Sequence, residues 1–84
     1  MNLSIRANLS TQEIDGERVI LDKDNGQIHQ LNGAASLIWQ QIEAGSDSSL
    51  ILQELTKQFE IDEATAKADL DKVLQQFKDL ELLT

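Results

Sequence analysis

Apolar and polar positions change their period near residue 31. Before that point apolar residues come in short runs bounded by turn pairs; after it they recur every three or four residues. Asp15-Gly16 and Asn25-Gly26 are strong hairpin signals, because Gly and Asn or Asp tolerate positive φ, and both pairs predict type I′ turns. The run Glu17-Arg18-Val19-Ile20-Leu21-Asp22 puts Val19 and Leu21 on one face and Arg18 and Ile20 on the other. Gln27 to Leu31 reads as a short strand and Leu9 to Ile14 as a weaker one, so residues of about 9–31 are expected to form a three-stranded antiparallel meander. Such a sheet is stable only when something covers its apolar face, and the expectation is that Val19 and Leu21 form the covered face.

Three helices follow, over residues of about 33–44, 48–59 and 63–80. Asn32 stands at an N-cap position, Ala35, Ile38, Trp39 and Ile42 recur at helical spacing, and Gly45 supplies a stop. Ser46-Asp47-Ser48-Ser49 offers caps for the second helix, whose stripe is Leu52, Leu55 and Phe59. Asp62 is a cap for the third helix, Glu63 complements its dipole, and Ile61 with Ala66 form a hydrophobic staple. Ala66, Leu70, Val73, Leu74, Phe77 and Leu80 give the clearest stripe of the chain. The order β-β-β-α-α-α predicts one α+β domain over residues 1–84, a winged helix-turn-helix outline with its wing at the N-terminus. Gly33, at the first helical position, has no propensity reason and suggests a close backbone approach there.

Charge narrows the partners. The 84 residues carry a formal net charge of −8, which opposes binding to nucleic acid or to anionic membranes. The third helix carries Lys67, Lys72 and Lys78 but also Asp69, Asp71 and Asp79, so it is a poor recognition helix for DNA. The N-terminus lacks the apolar core of a signal peptide and no segment has the length of a membrane span, so a cytoplasmic protein is expected.

Candidate chemistry is sparse, and no enzyme activity or cofactor is expected. His29 is the one histidine, and an exposed polar strand residue explains it better than a catalytic one. No metal-ligand spacing is present. Asp22-Lys23-Asp24-Asn25-Gly26 has the look of a calcium loop, but its spacing fails and Gly33 occupies the twelfth position where a Glu is required. Asp47-Ser48-Ser49-Leu50 raises an alternative: small acidic acyl or peptidyl carrier proteins hold their phosphopantetheine arm on a serine in an Asp-Ser-Leu run before a helix. The extra serine breaks the tripeptide, so capping is the simpler reading; Ser48 or Ser49 would be the modified residue in the other.

The frame Leu31-Asn32-x-x-Ala35-x-x-Ile38-Trp39-x-x-Ile42-x-x-Gly45 resembles the core of PqqD-like proteins. Asp15-Gly16-Glu17-x-Val19-x-Leu21 before it is similar to the strand pair of that family, and Leu55-x-x-x-Phe59 and Asp69-Leu70-x-x-Val73-Leu74-x-x-Phe77-x-x-Leu80 to its second and third helices. The similarity spans residues of about 9–83. One departure stands out: the family usually has a glycine before a Leu-Leu pair at the end of the last helix, and here Glu81 precedes Leu82-Leu83. The resemblance implies a precursor-peptide recognition element, a non-catalytic chaperone that binds a leader peptide and delivers it to a modifying enzyme, often a radical SAM enzyme. It implies that the leader adds as a further strand beside the third strand, against the third helix. The site residues it implies are Gln27, Ile28, His29, Gln30 and Leu31 from the strand and Lys67, Leu70, Asp71, Leu74 and Lys78 from one flank of the helix. An edge strand of this kind supplies unpaired amides and carbonyls. It can also pair with a second copy, so either a monomer or a homodimer is expected, and an adaptor that binds some other protein through the same edge is a further alternative.

Overall fold

A computed structural model describes residues 4–83. The meander comprises β1 (Leu9–Ile14), β2 (Glu17–Asp22) and β3 (Gln27–Gln30), antiparallel and in the order β1-β2-β3. Asp15 and Gly16, at φ 53° and 81°, form the two-residue turn expected between β1 and β2. The second connection differs from the expected Asn25-Gly26 type I′ turn. It is a four-residue loop, Lys23 to Gly26, in which Gly26 has φ 64° and Asn25 stays outside the left-handed region. The cause is the Asp22 carboxylate, which accepts from the Asn25 amide at 3.2 Å and from Asn25 Nδ2 at 2.9 Å and so pulls Asn25 into the loop.

The covered face of the sheet is also the opposite of the expected one. Ile20 is fully buried and Asp22 nearly so, whereas Val19 and Leu21 are half-buried on the outer face. Pairing explains this. Ile20 lies opposite Thr11 and His29, and Asp22 opposite Leu9 and Gln27; residues directly opposite share a face. Leu31, buried beside Arg18 through a 2.9 Å backbone bond, belongs to that same face. Inside β2 alone the outer face has more apolar residues, but its neighbours Leu9 and Leu31 fix the choice.

Of the helices α1 (Gly33–Glu43), α2 (Ser48–Phe59) and α3 (Glu63–Asp79), α1 packs on this face and α2 and α3 pack on α1 and on each other. Each begins at a side-chain cap: Asn32, Asp47 and Asp62 accept from the amides of Ala35, Leu50 and Thr65 at 2.9, 2.9 and 2.7 Å. Trp39 is fully buried in α1; its indole N–H donates to Thr11 Oγ1 on the sheet at 3.1 Å and its ring meets Phe77 of α3 edge-on at 5.2 Å. Thus one side chain fastens sheet, α1 and α3. Ile20, Leu31, Ala35, Ile38, Ile42, Ile51, Leu55, Ala66, Leu70, Val73, Leu74 and Leu82 complete the core. Phe59, expected in the α2 stripe, remains 42% exposed. Its ring lies 3.8 Å from where a Cβ on Gly33 would stand, an ordinary contact, so Gly33 marks no close backbone approach.

The first and last described segments lie side by side. Glu81 has φ 60°, the left-handed conformation that favours glycine. Its amide donates to the Lys78 carbonyl and that of Leu82 to Phe77, closing α3 as a Schellman turn without glycine. The Arg6 amide donates to the Leu82 carbonyl at 3.0 Å, and Ile5 bridges Leu83.

Candidate binding groove

In β3 the backbone groups alternate in direction. The Leu31 amide donates to Arg18, so in the antiparallel ladder Ile20–His29 and Asp22–Gln27 are the hydrogen-bonded pairs as well. The same alternation on the other side of β2, where the Lys23 amide donates to Asn8, confirms the phase. His29 therefore turns its N–H and C=O toward β2, while Ile28 and Gln30 turn theirs outward from the sheet edge. Side chains follow the complementary rule: His29 points toward the helices, and Ile28, 71% exposed, points to the outer face.

This edge borders a cavity of about 520 Å³ lined by Ile28, His29, Gln30 and Leu31 on one wall, by Gln76, Phe77 and Asp79 of α3 and its cap Leu80 on the other, and by Ala35 of α1 and its cap Asn32 at the floor. The walls are mixed in character: Leu31, Ala35, Phe77 and Leu80 are apolar, Asp79 is the one carboxylate among the lining residues, and none carries a fixed positive charge. Leu80 is 41% exposed although it ends the apolar stripe of α3. His29 Nε2 is buried and has no hydrogen-bond partner among the described residues. A smaller hollow of about 230 Å³ shares Asn32 and Gln76 and continues along Asp69, Lys72 and Val73.

Ser36 sets the local shape of the far end. Its hydroxyl accepts from the Arg18 amide at 2.9 Å and donates to the Leu31 carbonyl at 3.1 Å. A side chain of α1 thus stands between β2 and the end of β3 and joins groove floor to sheet.

Of the residues expected at the site, Ile28, His29, Gln30 and Leu31 line the groove together. Gln27 opens β3 opposite Asp22. Lys67, Leu70, Asp71 and Leu74 lie elsewhere: they line a separate cavity of about 340 Å³ between α2 and α3, with Ser48, Ser49, Leu52 and Glu63. Leu70 and Leu74 are core residues there. Lys78 is exposed in the last turn of α3. The flank of α3 that faces β3 is instead Gln76, Phe77, Asp79 and Leu80, which sequence reasoning missed along with Asn32 and Ala35. Ser48 and Ser49 follow a capping aspartate, as the simpler reading of that run expects. Among the described residues no group of three or more His, Asp or Glu side chains is arranged to hold a metal ion, and no helix is long and apolar enough to cross a membrane.

A three-stranded antiparallel sheet followed by three helices, with an edge strand beside a helix-walled groove, defines a class of small α+β domains. Within it, this chain belongs to the PqqD family: the model described as coenzyme PQQ synthesis protein D matches residues 17–83. No curated protein gives a significant match. Two solved structures are similar over nearly the whole chain. The chain described as TbiB1 in complex with the TbiA(beta) leader peptide is 28% identical, with a TM-score of 0.90 over 95% of this chain and 93% of that one. The chain described as lasso peptide synthetase B1 complexed with the leader peptide is 26% identical, with a TM-score of 0.91 over 100% of this chain and 99% of that one.

Proposed function

We propose that this chain is a non-catalytic recognition domain that binds the leader segment of a ribosomally made precursor peptide and presents it to a peptide-modifying enzyme. The observation that carries the reading is the β3 edge, where the outward amides and carbonyls of Ile28 and Gln30 border a partly apolar cavity. Two similar structures are described as complexes with leader peptides, which supports the same reading.

The leader adds as a fourth strand beside β3. Ladder bonds to Ile28 and Gln30 hold its backbone irrespective of sequence, and its side chains then alternate. The guest residue opposite His29 faces the groove, toward Phe77 and Leu80; those opposite Ile28 and Gln30 face outward. Selectivity falls on the inward set. A second copy pairing through the same edge would block it, so the binding form is the monomer. A ribosomally made peptide meets its recognition domain in the cytoplasm, where this chain acts.

The test is an NMR titration with a synthetic leader segment from a short precursor encoded beside this chain. The expected result is downfield, strand-like shifts at the Ile28 and Gln30 amides, with smaller changes at Phe77 and Leu80. Shifts confined to the acidic faces of α2 and α3 would reject strand addition.

A further inference from the structure

Arg6 stands outside every residue so far assigned to the groove, yet it joins the groove's two walls. Its guanidinium reaches two ways. Nη2 pairs with Asp22 at 2.7 Å and Nη1 with Asp24 at 2.9 Å, both at the hairpin that leads into β3. Nε donates to the Glu81 carbonyl at 2.6 Å, in the turn that follows α3. The Arg6 backbone amide adds a bond to Leu82 in the same turn. These contacts lie at the start of β3, where Asp22 pairs with Gln27, and in the turn that follows Leu80.

Between those anchors the backbones of the two walls stay apart: β3 lies against β2, and α3 against α1 and α2. The hairpin loop and the α3 turn each hold their own shape, the loop through Asp22 and Asn25 and the turn through its Schellman bonds and the buried Leu82. What Arg6 adds is their placement relative to one another. We infer that Arg6 is a positioning residue for peptide binding, a strut that sets the spacing between β3 and the C-terminal turn of α3 and so the fit of a guest strand. The inference rests on the peptide-binding reading above.

The demand is for arginine in particular. A planar fork holds two carboxylates and a carbonyl at fixed angles; a lysine at the same place keeps the charge near buried Asp22 but offers a single point of attachment. Arg6→Lys therefore separates charge from geometry. Asp24→Ala removes one arm at an exposed position and leaves Asp22 alone.

The probe is a fluorescein-labelled linear peptide, selected on the wild-type chain from a displayed random library and shown by NMR to shift the Ile28 and Gln30 amides. Arg6→Lys is expected to bind it about tenfold more weakly, mainly through faster dissociation, and Asp24→Ala about threefold more weakly. Amide shifts within α2 and the emission of buried Trp39 should match the wild type, and amide exchange at Glu81 and Leu82 should quicken. A merely structural role would lower the melting temperature and leave the dissociation rate of the folded protein unchanged. Wild-type binding with both variants within about twofold of it overturns the strut and leaves the binding reading intact. Where Arg6→Lys does not fold, the Asp24→Ala result decides in the same way. If no selected peptide shifts Ile28 and Gln30, the binding reading itself falls and Arg6 has no such role.

Discussion

Two single positions show how local conformation and residue choice part company in this chain. Glu81 occupies left-handed backbone at φ 60°, where a Cβ costs roughly 1–2 kcal/mol. The bonds that close the turn are made by backbone groups, and the Arg6 bond also goes to the Glu81 carbonyl. Glu81→Gly thus keeps every contact and removes the clash, while the freer unfolded chain takes part of the gain back. Urea denaturation followed by Trp39 emission should show it more stable by about 0.5–1 kcal/mol; a loss of stability would mean that the Glu81 side chain makes a contribution of its own. Gly33 is the converse case. It lies in the first turn of α1, has no positive φ, and has room for a methyl group against Phe59 at 3.8 Å. Gly33→Ala should stabilise by about 0.4–1 kcal/mol in the same assay, with a drop in stability as the refuting result.

At the scale of elements, β3 is short because its neighbours do much of its holding. Ser36 completes the ladder beyond Gln30 by standing between Arg18 and Leu31. Ser36→Ala would leave the Arg18 amide and the Leu31 carbonyl without this partner, at a cost of about 1–3 kcal/mol in folding free energy, and should loosen peptide binding in proportion. Proline substitution distinguishes the two faces of the strand. Gln30→Pro removes an outward amide and should weaken peptide affinity by about tenfold or less, the worth of one hydrogen bond, with the fold retained. His29→Pro removes an amide bonded to β2 and should destabilise the domain outright. Equal effects from both, measured by circular dichroism and titration, would show the ladder phase to be wrong. The caps at Asn32 and Asp62, a cap within residues 46–49, the Asp15-Gly16 turn and most of the helical stripes were legible from the sequence because each is a local signal. The face of β2 and the flank of α3 were not. A strand of six residues with apolar side chains on both faces is decided by its cross-strand neighbours. On α3, Leu70 and Leu74 read equally well as groove or core, and only the placement of β3 beside Phe77 and Leu80 settles which flank lies open.

For the whole molecule, the segments around Arg6 and Leu82 act as a tie. Arg6 links the N-terminal arm, the β2–β3 loop and the turn after α3, and it does so through buried Asp22. Hydrogen bonds from the Asn25 side chain and from Arg6 pull the Asp22 carboxyl down to about 2. Its folded value lies below its unfolded one, so its contribution is fully present above about pH 4 and is lost as pH falls toward 2. Wild type should lose stability across that window more steeply than Asp22→Asn, measured as urea midpoints at stepped pH. Parallel curves would show that other carboxylates, such as the capping Asp62, govern acid unfolding. The net charge of −8 adds a general effect, because protonation relieves self-repulsion over the same range; the comparison with the variant isolates the Asp22 share.

The outward phase of Ile28 and Gln30 has a consequence for how long a guest stays. Each of these residues offers one N–H and one C=O, and at about 0.5–1.5 kcal/mol per bond the backbone grip totals about 2–6 kcal/mol. Micromolar affinity requires about 8 kcal/mol. Under the proposed strand addition, the edge alone would let any extended chain touch and leave, and residence would be granted only to a segment whose inward side chains fill the space beside Phe77 and Leu80. A domain proposed to hand its cargo onward would benefit from that division: sampling would be fast and indiscriminate, and a partner that drew those few side chains out of the groove would free the whole peptide at once.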